Sequence, residues 1–225
     1  MSIQNNLQMI KQQIEDACQH SGRNADEVSI IAVTKYVSVD TAQEAVSAGV
    51  THLGENRDDG FLHKYEQIDG NVAWHFIGTL QSRKVKSIID KVDYIHSLDR
   101  MSLAKEIQKR AEKKIKCFVQ VNVSGEDSKH GINPDQLPDF IRKLSDYDSI
   151  EVVGLMTMAP FIEDEERLRS YFREMRRLQM EVQAMKLSHA PCQELSMGMS
   201  NDYAIAVEEG ATFVRIGTSL VGKEF

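Results

Sequence analysis

The sequence predicts an α/β fold, a (β/α)8 TIM barrel with one extra helix at its N-terminus. Three observations carry that prediction: eight short runs of strand character, helical stretches between them, and a length of 225 residues. A closed barrel of this kind needs roughly 200–250 residues. An open doubly wound sheet alternates in the same way and is the competing architecture. No linker rich in Pro, Gly or Ser and no internal repeat interrupts the pattern, so residues 1–225 read as one domain.

The elements follow in order. Ile3, Leu7, Ile10, Ile14 and Cys18 recur at helical spacing and predict an amphipathic opening helix. Residues 28–33 (VSIIAV) are a β-branched apolar run, the mark of a strand buried on both faces of a parallel sheet. Residues 40–48 read as a helix, with Asp40 as N-cap and Gly49 as its stop. Further strands are expected at 52–53, 73–77, 94–97, 117–123, 152–156, 194–197 and 212–216. Helical stretches lie between them at 58–67, 85–91, 102–114, 134–144, 163–185 and 203–209.

Composition narrows the function classes. Lys and Arg number 27 against 34 Asp and Glu, a formal charge of −7, which argues against a nucleic-acid partner. The basic residues near Lys84 and from Arg173 to Arg177 read as solvated helix faces. No run of about 18 apolar residues is present, and the first 20 residues lack the apolar centre of a secretory signal. No membrane partner is therefore expected. Cys18, Cys117 and Cys192 are far apart and odd in number, without ligand spacing for a metal, so a cytoplasmic location is expected.

Barrel chemistry sits at the C-terminal ends of the strands, and polar or small residues collect there. Lys35 is read as ending strand one. Burial at such a place lowers an amine's pKa and makes it a nucleophile toward carbonyls; a Lys reaching solvent at the rim is the other reading. Gly54, Glu55 and Asn56 follow strand two, His75 in WHFIG lies in strand three as either a ligand contact or a satisfied core histidine, Asn122 closes strand five, and Met156 with Thr157 closes strand six. Ser196 to Ser200 and the Gly217-Thr218 pair form two late loops. Loops after strands seven and eight commonly hold phosphate. Arg215 lies among Phe213, Val214 and Ile216, and a buried Arg demands an acceptor. A ligand atom or a neighbouring carboxylate would serve. No GxSxG motif occurs, and GTLQSRK fails GxxxxGK[ST], Lys84 being followed by Val85.

The segments AVTK ending at Lys35, HLGEN ending at Asn56, WHFIGTLQSRK from Trp74, GLMTMAP from Gly154, LSMGMSNDY and VRIGTSLVG resemble the YggS/PROSC family of pyridoxal phosphate homeostasis proteins in order and spacing. The resemblance spans essentially the whole chain. It implies the fold-type III barrel of the alanine racemase N-terminal domain and pyridoxal 5′-phosphate (PLP) as cofactor, held as a Schiff base by Lys35. By the same resemblance Ser200, the backbone of Met199, Gly217 and Thr218 cradle the phosphate, and Ser196 shapes that turn. Arg215 faces the pyridine nitrogen, while Asn56, His75 and Met156 line the ring.

An Arg stays protonated and cannot give the ring nitrogen a proton, so strong carbanion chemistry is not favoured, although a racemase can tolerate this arrangement. The sequence stops at Phe225, nine residues past Ile216, where a racemase carries a further domain with a second acid/base. The expectation is a PLP carrier acting in vitamin B6 homeostasis without turnover. The alternatives are an amino-acid racemase, with Tyr36 or a loop residue as second base, or a cofactor-free Schiff-base aldolase. Expected partners are PLP, other B6 vitamers and, transiently, PLP-dependent apo-enzymes, with the chain a monomer. Lys129, in the loop from Ser124 to His130, is a candidate second amine for cofactor release, a solvated loop Lys being the other reading.

Overall fold

A computed structural model describes residues 2–126 and 130–225. Eight parallel strands close into a barrel in chain order. They are β1 (Ser29–Val33), β2 (His52–Glu55), β3 (Ala73–Phe76), β4 (Tyr94–Leu98), β5 (Ile115–Gln120), β6 (Ile150–Met156), β7 (Glu194–Met199) and β8 (Phe213–Ile216). β8 returns to β1 with Ile31 beside Arg215, which decides for the closed barrel over the open sheet.

The helices are α1 (Ile3–Ser21), α2 (Val39–Ser47), α3 (Asp58–Tyr65), α4 (Val85–Ile88), α5 (Met101–Arg110), α6 (Leu137–Lys143), α7 (Glu165–Ala184), α8 (Tyr203–Glu208) and α9 (Thr218–Val221). The opening helix α1 buries the five residues that predicted it, together with Ala17, against α8 and α9. α2 starts earlier than expected: Ser38, not Asp40, is its N-cap, its hydroxyl accepting the Thr41 N–H at 3.3 Å. Serine reaches that N–H from the extended conformation, whereas Asp40 already lies inside the first turn. Arg169, Arg173 and Arg177 pair with glutamates of α7 and the α8 end, so this basic stretch is neutralised locally.

The strands divide their side chains between two cores. Ala32, Leu53, Trp74, Phe76, Ile95, Cys117, Val119, Leu195, Met197, Val214 and Ile216 point outward and join the helices in one large apolar cluster. Ile31, Phe118, Val153, Met156 and Phe213 point inward and form a small second cluster. Alternate residues of a strand face opposite ways, so each apolar run serves both. The inward layer also holds His75, His96, Ser196 and Arg215, all buried. Polar groups thus occupy a space that bulky branched side chains usually fill in such barrels.

Candidate functional site

A cavity of about 740 Å³ opens at the C-terminal ends of the strands. Its wall contains Lys35, Asn56, Met199, Ser200, Arg215, Gly217 and Thr218, seven of the residues picked out from the sequence. They come from the ends of β1, β2, β7 and β8, so only closure of the barrel brings them together.

Lys35 lies two residues beyond β1 rather than at its end, in a tight turn closed by Val37 N–H donating to Thr34 C=O at 3.2 Å. Leaving the strand lets the side chain emerge at the mouth, half-buried, with Nζ 4.8 Å from the centre of the exposed Tyr36 ring. The turn is fixed from below. The Thr34 hydroxyl donates to Glu55 at 2.6 Å, and Lys64 Nζ donates to Thr34 C=O at 2.9 Å and to Glu55 at 2.8 Å. Glu55 and Lys64 are both buried and satisfy each other's charge. From above, Glu224 N–H donates to Tyr36 C=O at 2.9 Å, and its carboxylate accepts from Ser38 N–H at 2.6 Å. Sequence reasoning missed Lys64 and Glu224. An isolated Lys on a helix and a Glu near the C-terminus carry no spacing signal.

The two late loops are tied to each other. Met199 N–H donates to the Asp202 carboxylate at 2.6 Å, and Asp202 N–H donates to Met199 C=O at 3.0 Å, which closes the turn holding Ser200 and Asn201. The Ser200 hydroxyl accepts Gly217 N–H at 3.4 Å, joining that turn to the start of α9. Gly198 permits the sharp descent into α8. Its φ is +92°, and a Cβ there would stand 2.6 Å from the Ala206 Cβ. Gly78 has a similar role at the opposite wall, where a Cβ would meet Asn56 C=O at 2.3 Å. Burial pushes the Asp202 carboxyl up from its ordinary value, opposed by the Met199 N–H and the Arg215 charge.

Arg215 borders the cavity floor with no carboxylate in contact among the described residues. One terminal nitrogen donates to the Ser196 hydroxyl at 2.6 Å and the other to Thr157 C=O at 2.8 Å. Burial brings its pKa down to about 10, with Asp202 opposing, so it is charged at neutral pH. Five N–H donors sit on a guanidinium, and two contacts leave donors available toward the cavity. Ser196, His75 and Met156 do not border the cavity. Ser196 lies within β7 and faces inward, His75 is deeper still, and Met156 packs with Phe118 and Phe213. Each is an inward residue one layer or more below the rim. β5 ends at Gln120, so Asn122 stands two residues past it, still at the wall. Tyr36, Met158 and Phe161 form an exposed apolar lip. Lys129 lies outside the described residues. No helix among the described residues is long and apolar enough to cross a membrane.

The family model of the alanine racemase N-terminal domain matches residues 3–224. A pyridoxal phosphate homeostasis protein of Aquifex aeolicus (strain VF5) is 42% identical over 221 residues, covering 96% of each chain. PipY of Synechococcus elongatus PCC7942, solved with PLP bound, has a TM-score of 0.82 at 31% identity, over 93% of this chain and 100% of that one. Alanine racemase of Corynebacterium glutamicum has a TM-score of 0.74 at 16% identity, over 97% of this chain and 59% of that one, a likeness of fold.

Proposed function

Because the chain belongs to the alanine racemase N-terminal domain family, and within it to the pyridoxal phosphate homeostasis proteins, we propose that it binds PLP in the cavity at the strand ends and serves in vitamin B6 homeostasis. One observation carries this reading: an amine, a charged guanidinium and two hydroxyl-bearing loops face one cavity from different strands. PLP has three matching needs, a partner for its aldehyde, one for its ring nitrogen and donors for its phosphate. The donor set therefore fits the group.

In this reading Lys35 would hold the cofactor through its aldehyde. Bound PLP supplies an electron sink and a reactive carbonyl carbon. Thr34, Glu55 and Lys64 hold the Lys35 turn in place. Ser200 and Thr218 donate to the phosphate, helped by N–H groups that open α9 and lack partners within it. Arg215 donates to the ring nitrogen and keeps its own proton. Asn56 lines the ring, while Ser196, His75 and Met156 support it from beneath. Residues 1–225 act as one PLP-binding unit. We place the protein in the cytoplasm, a reading supported by three free, buried cysteines. As a monomer it would hold PLP or related vitamers and hand them to apo-enzymes. With Arg215 at the ring nitrogen PLP is a weaker electron sink, which favours a holder over a catalyst.

Borohydride reduction of the PLP-loaded protein, followed by peptide mapping, tests the linkage. The expected result is an adduct on Lys35 and none in Lys35→Ala; an adduct elsewhere overturns it. Incubation with PLP and each L-amino acid tests the absence of turnover. Formation of the D-isomer above the rate of free PLP overturns the carrier reading.

A further inference from the structure

Three histidines thread the barrel interior in one hydrogen-bonded line. His52 Nδ1 is 2.9 Å from His75 Nε2, His75 Nδ1 is 2.8 Å from His96 Nε2, and His96 Nδ1 is 2.9 Å from the Ser196 hydroxyl. The line continues to Arg215 through the same hydroxyl. It runs from a lower cavity of about 480 Å³, bordered by His52, Lys11, Glu15 and Asp26, to the floor of the upper one. The rings are clamped by aromatics. His75 lies parallel to Tyr94 with centroids 4.3 Å apart, His96 stacks on Phe118 at 4.3 Å, and His52 meets Phe213 edge-on at 5.5 Å.

Hydrogen-bond counting fixes the direction of the line. Arg215 only donates, so the Ser196 oxygen accepts from it. The remaining Ser196 O–H has one other neighbour, His96 Nδ1, and must donate there. His96 then carries its hydrogen on Nε2 and donates to His75 Nδ1. His75 in turn donates from Nε2 to His52 Nδ1. The reverse arrangement would leave a buried hydroxyl hydrogen without a partner, at a cost proteins avoid. Burial keeps His75 and His96 well below the ordinary histidine range, with neighbouring cationic charge acting the same way. Both are neutral, so each has one donor and one acceptor. Every imidazole thus turns its lone pair toward Arg215, and the chain of dipoles solvates a buried cation that lacks a carboxylate contact.

We propose that Ser196, His96, His75 and His52 are positioning residues: a tautomer-locked relay that aims the Arg215 guanidinium at the ring nitrogen of the cofactor and sustains its charge. This rests on the reading of the upper cavity as a PLP site.

Two measurements test it. In full-length protein labelled at the histidine ring nitrogens, His75 and His96 should both carry hydrogen on Nε2 and stay neutral while the fold persists. Hydrogen on Nδ1 of either overturns the relay. The second compares binding of PLP with a carbocyclic analogue in which C–H replaces the ring nitrogen. Ser196→Ala should weaken PLP about tenfold, the worth of a hydrogen bond to a charged group, and move the analogue less than about twofold. Ser196→Thr, which keeps the hydroxyl, should restore PLP. Equal losses for both ligands, or no loss, overturn the positioning role. Wild-type protein that binds neither ligand overturns the cofactor reading instead, and the histidine resonances then decide the relay alone.

Discussion

The outer shell and the interior of this barrel solve opposite problems with the same strands. Between barrel and helices lies a mainly apolar layer, where Phe61, Phe172, Leu53 and Ile95 are fully buried. Inside the barrel, Phe118, Phe213 and Met156 share the space with His75, His96, Ser196 and Arg215. The shell derives its energy from non-directional burial and tolerates exchange of one apolar side chain for another of similar volume. The interior depends on directional bonds, each donor needing its one acceptor. The shell therefore sets how stable the protein is, and the interior with the mouth sets what it holds and in which orientation.

The contrast can be broken at several points. Removing both hydroxyls in Ser200→Ala with Thr218→Ala should have the largest effect, roughly 1.5–3 kcal/mol of PLP binding for each lost donor. Pyridoxal, which has no phosphate, should be nearly unaffected in the same titration. Phe172→Ala in the shell should cost about 3–5 kcal/mol of unfolding free energy, while the surviving folded molecules bind PLP as wild type does. Lys64→Met tests the boundary between regions. It leaves Glu55 buried without its cation, a loss of about 3–5 kcal/mol in denaturant unfolding, and it should also slow adduct formation at Lys35 by loosening the turn.

Acid should act on the interior first. His75 and His96 have depressed pKa values when folded, against 6.5 when free. The unfolded chain therefore binds more protons below pH 6.5, and stability, level above that point, falls as pH drops. The slope should approach about 1.4 kcal/mol per pH unit for each histidine, readable as proton uptake on thermal unfolding. A flat profile between neutrality and the onset of carboxylate titration would contradict the buried, neutral assignment. At the other extreme, Arg142→Ala removes an exposed pair with Asp139 and should change stability by less than about 0.5 kcal/mol.

The legibility of the sequence follows the same division. The eight strands and the opening helix were visible because apolar spacing is a local property, and α1 buries the residues that marked it. Lys35, Arg215 and the Ser200 and Thr218 loops were visible because a charged or hydroxyl-bearing residue at a strand end stands out against its neighbours. Which way His75 faced was not visible. A histidine in WHFIG reads equally as wall or as core, and only the pairing of β3 with β4 puts His96 beside it. Glu55 appeared in a motif, but its partner Lys64 is the penultimate residue of α3, and nothing local says that it is buried.

By itself the sequence determined the order of elements and most of the residues that reach the mouth, because periodicity and residue chemistry are written along the chain, while closure of the barrel came from the β8–β1 pairing. Only the tertiary structure decided the partners: Ser196 with Arg215 and His96, Thr34 with Glu55 and Lys64, Glu224 with the Lys35 turn. Hydrogen bonds are short-ranged and directional. Whether two distant residues share one is fixed by where the backbone carries them.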